Sequence, residues 1–210
     1  MVDKLKIAVF ASGKGSNFQA IHRAMIANEI NNAEICCVIS NNPDAGALQY
    51  AKEHSIPAIH LSRSQFDTDE EFNSTIIKIL GKHQVNFIVL AGYLKKIDAS
   101  VIKKFKNRIV NIHPALLPKY GGKGMYGIHV HEAVIMSGDK ISGATVHLVD
   151  EEYDHGQILL QETVPVAESD TAETLAEKVL IVEHKIFPLA IKLLAEGEIE
   201  IKDDGVVIDE

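Results

Sequence analysis

The sequence predicts an α/β fold: a single doubly wound, mostly parallel sheet with helices on both faces. Three observations carry this. Short apolar runs alternate with amphipathic helical stretches from residue 6 to about residue 112, the pattern of βαβ units with right-handed crossovers. One run, Phe87-Ile-Val-Leu-Ala91, has no polar position, as a central parallel strand buried on both faces requires. The first run leads through a glycine-rich turn straight into a helix.

In order, Lys6-Ile-Ala-Val-Phe10 reads as a first buried strand between charge and Ser12-Gly13. Ser12-Gly-Lys-Gly-Ser-Asn17 then opens a helix whose Phe18, Ile21 and Met25 recur at helical spacing. Such a turn aims backbone N–H groups and a positive helix end at an anion. Gly13 and Gly15 permit positive φ, and Ser16 or Asn17 can cap the helix or touch a ligand. The spacing is neither G-x-G-x-x-G nor a Gly-Lys-Ser/Thr loop. The residues alone leave two readings open: an anion site, or glycines that merely let the turn fit. A second strand covers residues 34–39, a helix 47–54, a short strand 58–61, and a helix 69–82 with Phe72, Ile76, Ile79 and Leu80 on one face.

Arg108-Ile-Val reads as the next strand and runs into Asn111-Ile-His-Pro-Ala-Leu-Leu-Pro118. Asn111 and His113, two apart on an extended chain, point to the same side, and Pro114 and Pro118 stiffen the exit. Residues 121–127, four of them glycine, read either as a mobile flap beside that strand end or as a floppy surface connection with no role. A helix follows over 128–137. Its His129-Val-His131 lacks a third ligand, so no metal is expected. Residues 142–149 and 157–165 read as strands, separated by Asp150-Glu-Glu-Tyr-Asp154-His-Gly156. A long helix begins at Thr171, with Ser169 or Asp170 as its cap and a kink or restart at Pro188. One domain over 1–210 is expected, with 198–210 as a short hairpin-like appendage.

Composition limits the function. The chain has 210 residues, 46% hydrophobic, enough for one well-buried core. A net charge of −8 without a basic block argues against nucleic acid as the main partner. The longest uncharged apolar run, residues 87–94, is too short to span a bilayer. Met-Val-Asp-Lys has no signal core, so the expected location is cytoplasmic. The only cysteines, Cys36 and Cys37, are neighbours in an apolar run and read as reduced, buried thiols. Small-molecule substrates are the expected partners, with monomer and homodimer both left open.

Asn111, His113 and Asp154 form the chemical constellation. A carboxylate beside an imidazole holds its tautomer and raises its pKa, so an imidazolium is expected near neutrality. An Asn N–H beside it can stabilise an oxyanion, worth on the order of 3 kcal/mol. No nucleophile elbow occurs, which favours direct attack by a substrate amine on a carbonyl. Spacing alone also fits unrelated strand-end residues.

Ser12-Gly-Lys-Gly-Ser-Asn-Phe-Gln-Ala20, Leu90-Ala-Gly-Tyr, Asn111-Ile-His-Pro-Ala-Leu-Leu-Pro-Lys-Tyr120, Thr145-Val-His147 and Asp154-His-Gly-Gln-Ile158 resemble, in order, the phosphoribosylglycinamide (glycinamide ribonucleotide) formyltransferase family. The resemblance implies a Rossmann-like formyltransferase fold and transfer of formyl from 10-formyltetrahydrofolate to the amine of glycinamide ribonucleotide in purine biosynthesis. It implies that Gly15, Ser16 and Asn17 bind the ribonucleotide phosphate and that Glu183 contacts the same substrate. Asn111 and His113 would contact the formyl carbonyl, with His113 the acid and Asp154 orienting it. Leu94, Lys95, Lys96, Ile97 and the loop around Tyr153 would line the folate pocket. Where the family often has an Arg for the folate's acidic tail, Asp69 stands here, leaving Arg63, Lys95 and Lys96 as replacements. Rival readings are a formyltetrahydrofolate hydrolase, a methionyl-tRNA formyltransferase or a non-catalytic nucleotide-binding domain. The first two usually carry an extra domain, and the last leaves Asn111, His113 and Asp154 without a purpose.

Overall fold

The computed structural model describes residues 3–202 and 205–208. Seven strands form one sheet: β1 (Leu5–Phe10), β2 (Ala33–Ser40), β3 (Ala58–His60), β4 (Phe87–Leu90), β5 (Ile109–His113), β6 (Ile141–Leu148) and β7 (Ile158–Pro165). Their order is β3-β2-β1-β4-β5-β6-β7, and the first five are parallel. The all-apolar β4 lies in the middle, while β6 and β7 close the sheet antiparallel. The α/β sheet is therefore mostly parallel, as its alternating pattern predicts.

The side-chain period of two sorts the strands between two cores. Ile7 and Val9 of β1 pack with α1 (Ser16–Ile26), α2 (Gly46–Glu53), α5 (Ile128–Ser137) and α6 (Ala172–Glu196). Ala8 and Phe10 pack with α3 (Asp69–Lys82) and α4 (Ala99–Lys104) on the other face. The chain leaves β1 towards β2 and β3, then returns to place β4 on the opposite side of β1. That reversal opens a crevice beyond the carboxyl ends of β1 and β4, where ligands of such sheets bind.

Four expectations change. Thr171 caps α6, accepting from the Thr174 N–H at 3.3 Å, because Asp170 is already held by Lys178 and the Ala167 N–H. The helix does not restart at Pro188: it continues to Glu196, with Ile186, Phe187, Ala190 and Ile191 buried before and after the proline. Gly15, in a left-handed conformation (φ 73°), caps α1 without any side-chain bond, so neither Ser16 nor Asn17 is the cap. Cys37 is buried, but Cys36 points the other way and is only half-buried. α4 is an element that periodicity could not detect, being six residues long. Asp98 starts it by accepting from the Ser100 N–H at 2.9 Å.

Of the appendage over 198–210, β8 (Ile199–Lys202) and β9 (Gly205–Ile208) pair antiparallel, while residues 203–204 and 209–210 lie outside the described residues. At the amino-terminal edge of the main sheet, Asp3, Leu5, Lys106, Arg108, Ile199 and Ile201 line a shallow groove. No helix among the described residues is long and apolar enough to cross a membrane.

Candidate active site

β5 and β6 pair antiparallel with Asn111 opposite His147 and His113 opposite Thr145. Four polar side chains thereby share one face of two adjacent strands. Asn111 Nδ2 donates to His147 Nε2 at 3.1 Å, and His147 Nδ1 donates to the Leu148 carbonyl at 2.7 Å. The Leu148 carbonyl can only accept, so Nδ1 carries a hydrogen, and the contact at Nε2 sets which way the Asn111 amide faces. The second Nδ2 hydrogen of Asn111 is left for another acceptor.

Asp154 comes from the loop between β6 and β7. Its Oδ2 lies 3.5 Å from His113 Nδ1 and its Oδ1 3.6 Å from His147 Nε2. The same Oδ2 accepts from the Gly122 N–H at 2.9 Å, tying the glycine-rich segment to the site. Asp154 has φ 54°, left-handed for a residue with a side chain, a strained choice of the kind concentrated at functional sites. Two residues on, a Cβ at Gly156 would lie 1.9 Å from the Leu148 carbonyl oxygen. Only glycine lets this loop rest on the end of β6.

Burial pushes the His113 pKa below the ordinary imidazole value, and His147 acts in the same direction. Asp154 and the Tyr120 carbonyl pull it upward without overcoming burial. The expected resting imidazolium is thus replaced by a neutral ring near pH 7: His113 is 3% exposed, and desolvating its charged form outweighs one carboxylate. Its Nε2 donates to the Tyr120 carbonyl at 2.8 Å. Burial raises Asp154, but His147, His113 and the Gly122 N–H together hold its carboxyl below the usual range.

The loop carrying His113 away from β5 is pinned by Thr145, quoted above only as part of a motif, and by Gln161, which no sequence pattern singled out. Thr145 Oγ1 donates to the Ala115 carbonyl at 2.6 Å and accepts from the Leu117 N–H at 3.1 Å. Gln161 Nε2 donates to both the Leu117 carbonyl and Thr145 Oγ1.

The glycine-rich turn forms a second polar end. A Cβ at Gly15 would meet Ala47 Cβ at 2.7 Å, and the Ala47 N–H donates to the Gly13 carbonyl at 3.1 Å, so α2 clamps the turn. Asn17 Nδ2 donates to Glu183 Oε2 at 2.5 Å, joining residues far apart in sequence. Both are buried, and Asn17 Oδ1 has no hydrogen-bond partner. Burial pushes the Glu183 carboxyl up to about 7 against the pull of the Asn17 N–H.

A cleft of about 310 Å³ connects the two ends. It is lined by Asn17 and Glu183 at one end and by Asn111, His113, His147 and Asp154 at the other. Leu94, Lys95, Lys96, Ile97 and Tyr153 line it as well. Gly15 and Ser16 stand behind Asn17 rather than in the wall. Arg63 is not a lining residue: its guanidinium is occupied by Asp69 and by the Phe66 and Asp67 carbonyls. His129 pairs with Glu132 on the surface, while His131 is buried on the opposite side of α5.

A family model described as formyl transferase matches residues 5–191. The chain belongs to the formyl transferase family. A chloroplastic phosphoribosylglycinamide formyltransferase of Arabidopsis thaliana is 43% identical over 96% of this chain and 69% of its own length. A phosphoribosylglycinamide formyltransferase of Haemophilus influenzae is 40% identical over 97% of this chain and 93% of its own. The crystal structure of glycinamide ribonucleotide transformylase 1 from Symbiobacterium toebii superposes with a TM-score of 0.90 at 35% identity, covering 98% of this chain and 94% of that one. Some relatives are longer: this formyltransferase spans 65% of a plant protein from Vigna unguiculata and 20% of a trifunctional purine biosynthetic protein from Gallus gallus. It is an enzyme of formyl-group transfer.

Proposed function

We propose that this formyltransferase moves the formyl group of 10-formyltetrahydrofolate to the amine of glycinamide ribonucleotide, in purine biosynthesis. The observation that carries the reading is one cleft with a proton-handling cluster at one end and a buried carboxylate beside a helix amino terminus at the other. That combination suits an acceptor with a phosphoribosyl group. The apolar wall formed by Leu94 and Ile97 suits the flat ring system of a folate.

In this mechanism Gly15, Ser16 and Asn17 hold the ribonucleotide phosphate at the start of α1, and Glu183 accepts from the acceptor's polar groups. The amine nitrogen attacks the formyl carbon, and Asn111 Nδ2 donates to the oxyanion that forms. His113 is neutral at rest, so it takes the proton that the attacking amine must lose. It then acts as general acid, handing that proton to the leaving folate nitrogen as the carbon–nitrogen bond breaks. Asp154 stabilises the transient imidazolium. Taking the proton at Nε2 requires the hydrogen that this nitrogen carries to pass to Nδ1, which faces Asp154, as the Tyr120 carbonyl yields to the substrate. No metal is required, the partners are small molecules, and the proposed location is the cytoplasm.

Folate absorbance followed with and without glycinamide ribonucleotide tests the reading. Turnover should require the ribonucleotide. Equal turnover in its absence would make the enzyme a hydrolase, and dependence on methionyl-tRNA would replace the acceptor.

A further inference from the structure

One buried hydroxyl joins the loops that shape the cleft without lining it. Ser12 stands two residues beyond β1, immediately before the glycine-rich turn, and is 8% exposed. Its backbone N–H donates to the Gly92 carbonyl at 3.0 Å, and its Oγ accepts from the Leu94 N–H at 2.9 Å. The chain leaving β4 is thus hung twice on a single residue. Gly92 allows this with a left-handed φ of 75°, and between the two bonds the Tyr93 ring meets Phe10 edge-on at 5.3 Å. Lys95 and Lys96 are exposed, and the next buried side chain is Ile97. The hydroxyl has a second partner. It donates to Asn41 Oδ1 at 2.5 Å, in the turn that carries the chain from β2 into α2, the helix whose Ala47 clamps the glycine-rich turn. A hydroxyl that gives its hydrogen to one acceptor becomes a better acceptor itself, so Asn41 strengthens the hold on Leu94. The carboxyl ends of β1, β2 and β4 therefore meet at one side chain.

We propose that Ser12 is a positioning residue for formyl transfer. Through its hydroxyl it fixes the cleft wall at residues 94–97 relative to the glycine-rich turn, so that the formyl carbon and the attacking amine meet in register. This rests on the proposed function, in which the turn holds the acceptor's phosphate and the wall holds the folate. The two substrates are gripped by segments some eighty positions apart in sequence, and the chemistry tolerates little error between them: a displacement of about 1 Å costs on the order of 100-fold in rate. Without the hydroxyl, the Leu94 N–H loses its acceptor and the wall keeps only the Gly92 contact at its root. Both substrates then still bind, but less well aligned with each other.

Ser12→Ala, Asn41→Leu and Asn41→Asp separate this role from a merely structural one. The readouts are the steady-state constants for both substrates, with kcat normalised to the tetrahydrofolate-binding stoichiometry from calorimetry, which removes any inactive fraction. Ser12→Ala should lower normalised kcat by about 10- to 100-fold and raise KM for 10-formyltetrahydrofolate, while KM for the ribonucleotide stays at the wild-type value. Asn41→Leu keeps the size but not the acceptor and should show the same split to a smaller degree. Asn41→Asp retains an oxygen acceptor and should keep most of the wild-type kcat. If Ser12→Ala does not fold, the two Asn41 variants carry the same comparison. The assignment is overturned if normalised kcat of Ser12→Ala equals that of the wild type, if KM for the ribonucleotide rises as much as that for the folate, or if Asn41→Asp fails as badly as Asn41→Leu. A wild type whose turnover does not depend on the ribonucleotide overturns the formyl-transfer reading beneath this one, and that outcome is visible before any variant is made.

Discussion

The cleft holds a carboxylate at each end, and the two are stabilised differently. Asp154 is shared between two imidazoles and the Gly122 N–H, and its pKa ends below the usual range despite burial. Glu183 has the Asn17 amide as its hydrogen-bond partner, and burial carries it to about 7. One carboxylate is therefore charged throughout the physiological range and the other is poised between states. A charge held ready by several partners suits catalysis. A carboxyl with a single neutral donor suits a binding end, where an incoming ligand supplies the missing hydrogen bonds.

Variants at the two ends should fail in different ways. His113→Asn keeps a polar group but no proton carrier, so kcat should fall by about 10³-fold with the fold intact; near-normal turnover would remove His113 from the chemistry. Glu183→Gln tests the other end through stability. A carboxyl whose pKa rises from 4.5 unfolded to about 7 folded favours the native state below pH 4.5, and that contribution is lost as pH climbs through 7. The wild type should lose about 3 kcal/mol over this window. The variant should lack that slope in denaturant titrations at pH 5 and pH 8. Asp154→Asn should lower kcat by about 10²-fold while leaving ribonucleotide affinity in place. An equal loss of affinity, measured by calorimetry, would erase the distinction between the ends. Gly15→Ala must adopt a left-handed φ against Ala47 Cβ. It should cost about 1–2 kcal/mol of stability, with KM for the ribonucleotide rising more than kcat falls.

Much of this was readable from the residues. α3 and α5 occupy the predicted spans 69–82 and 128–137, because amphipathic spacing is a local signal. Asn111 and His113 were readable because a period of two puts them on one face of a strand. His147 was not, since its role depends on the antiparallel register between β5 and β6. The Asn17–Glu183 contact joins α1 to α6 across most of the chain, and no short-range pattern announces it. The neutral state of His113 was missed for a related reason: Asp154 was visible as a partner, but the depth of burial that outweighs it exists only once the layers are assembled.

The groove at the amino-terminal edge of the sheet contains both Asp3 and Ile199 to Ile201, and Ile199 pairs with Ile208, so the two ends of the described chain lie together on the side away from the cleft. Further polypeptide attached at either end would extend from the back of the domain. A unit with this layout can be carried as one module within a much larger multienzyme chain, and the match to a fifth of the Gallus gallus trifunctional protein is of that kind.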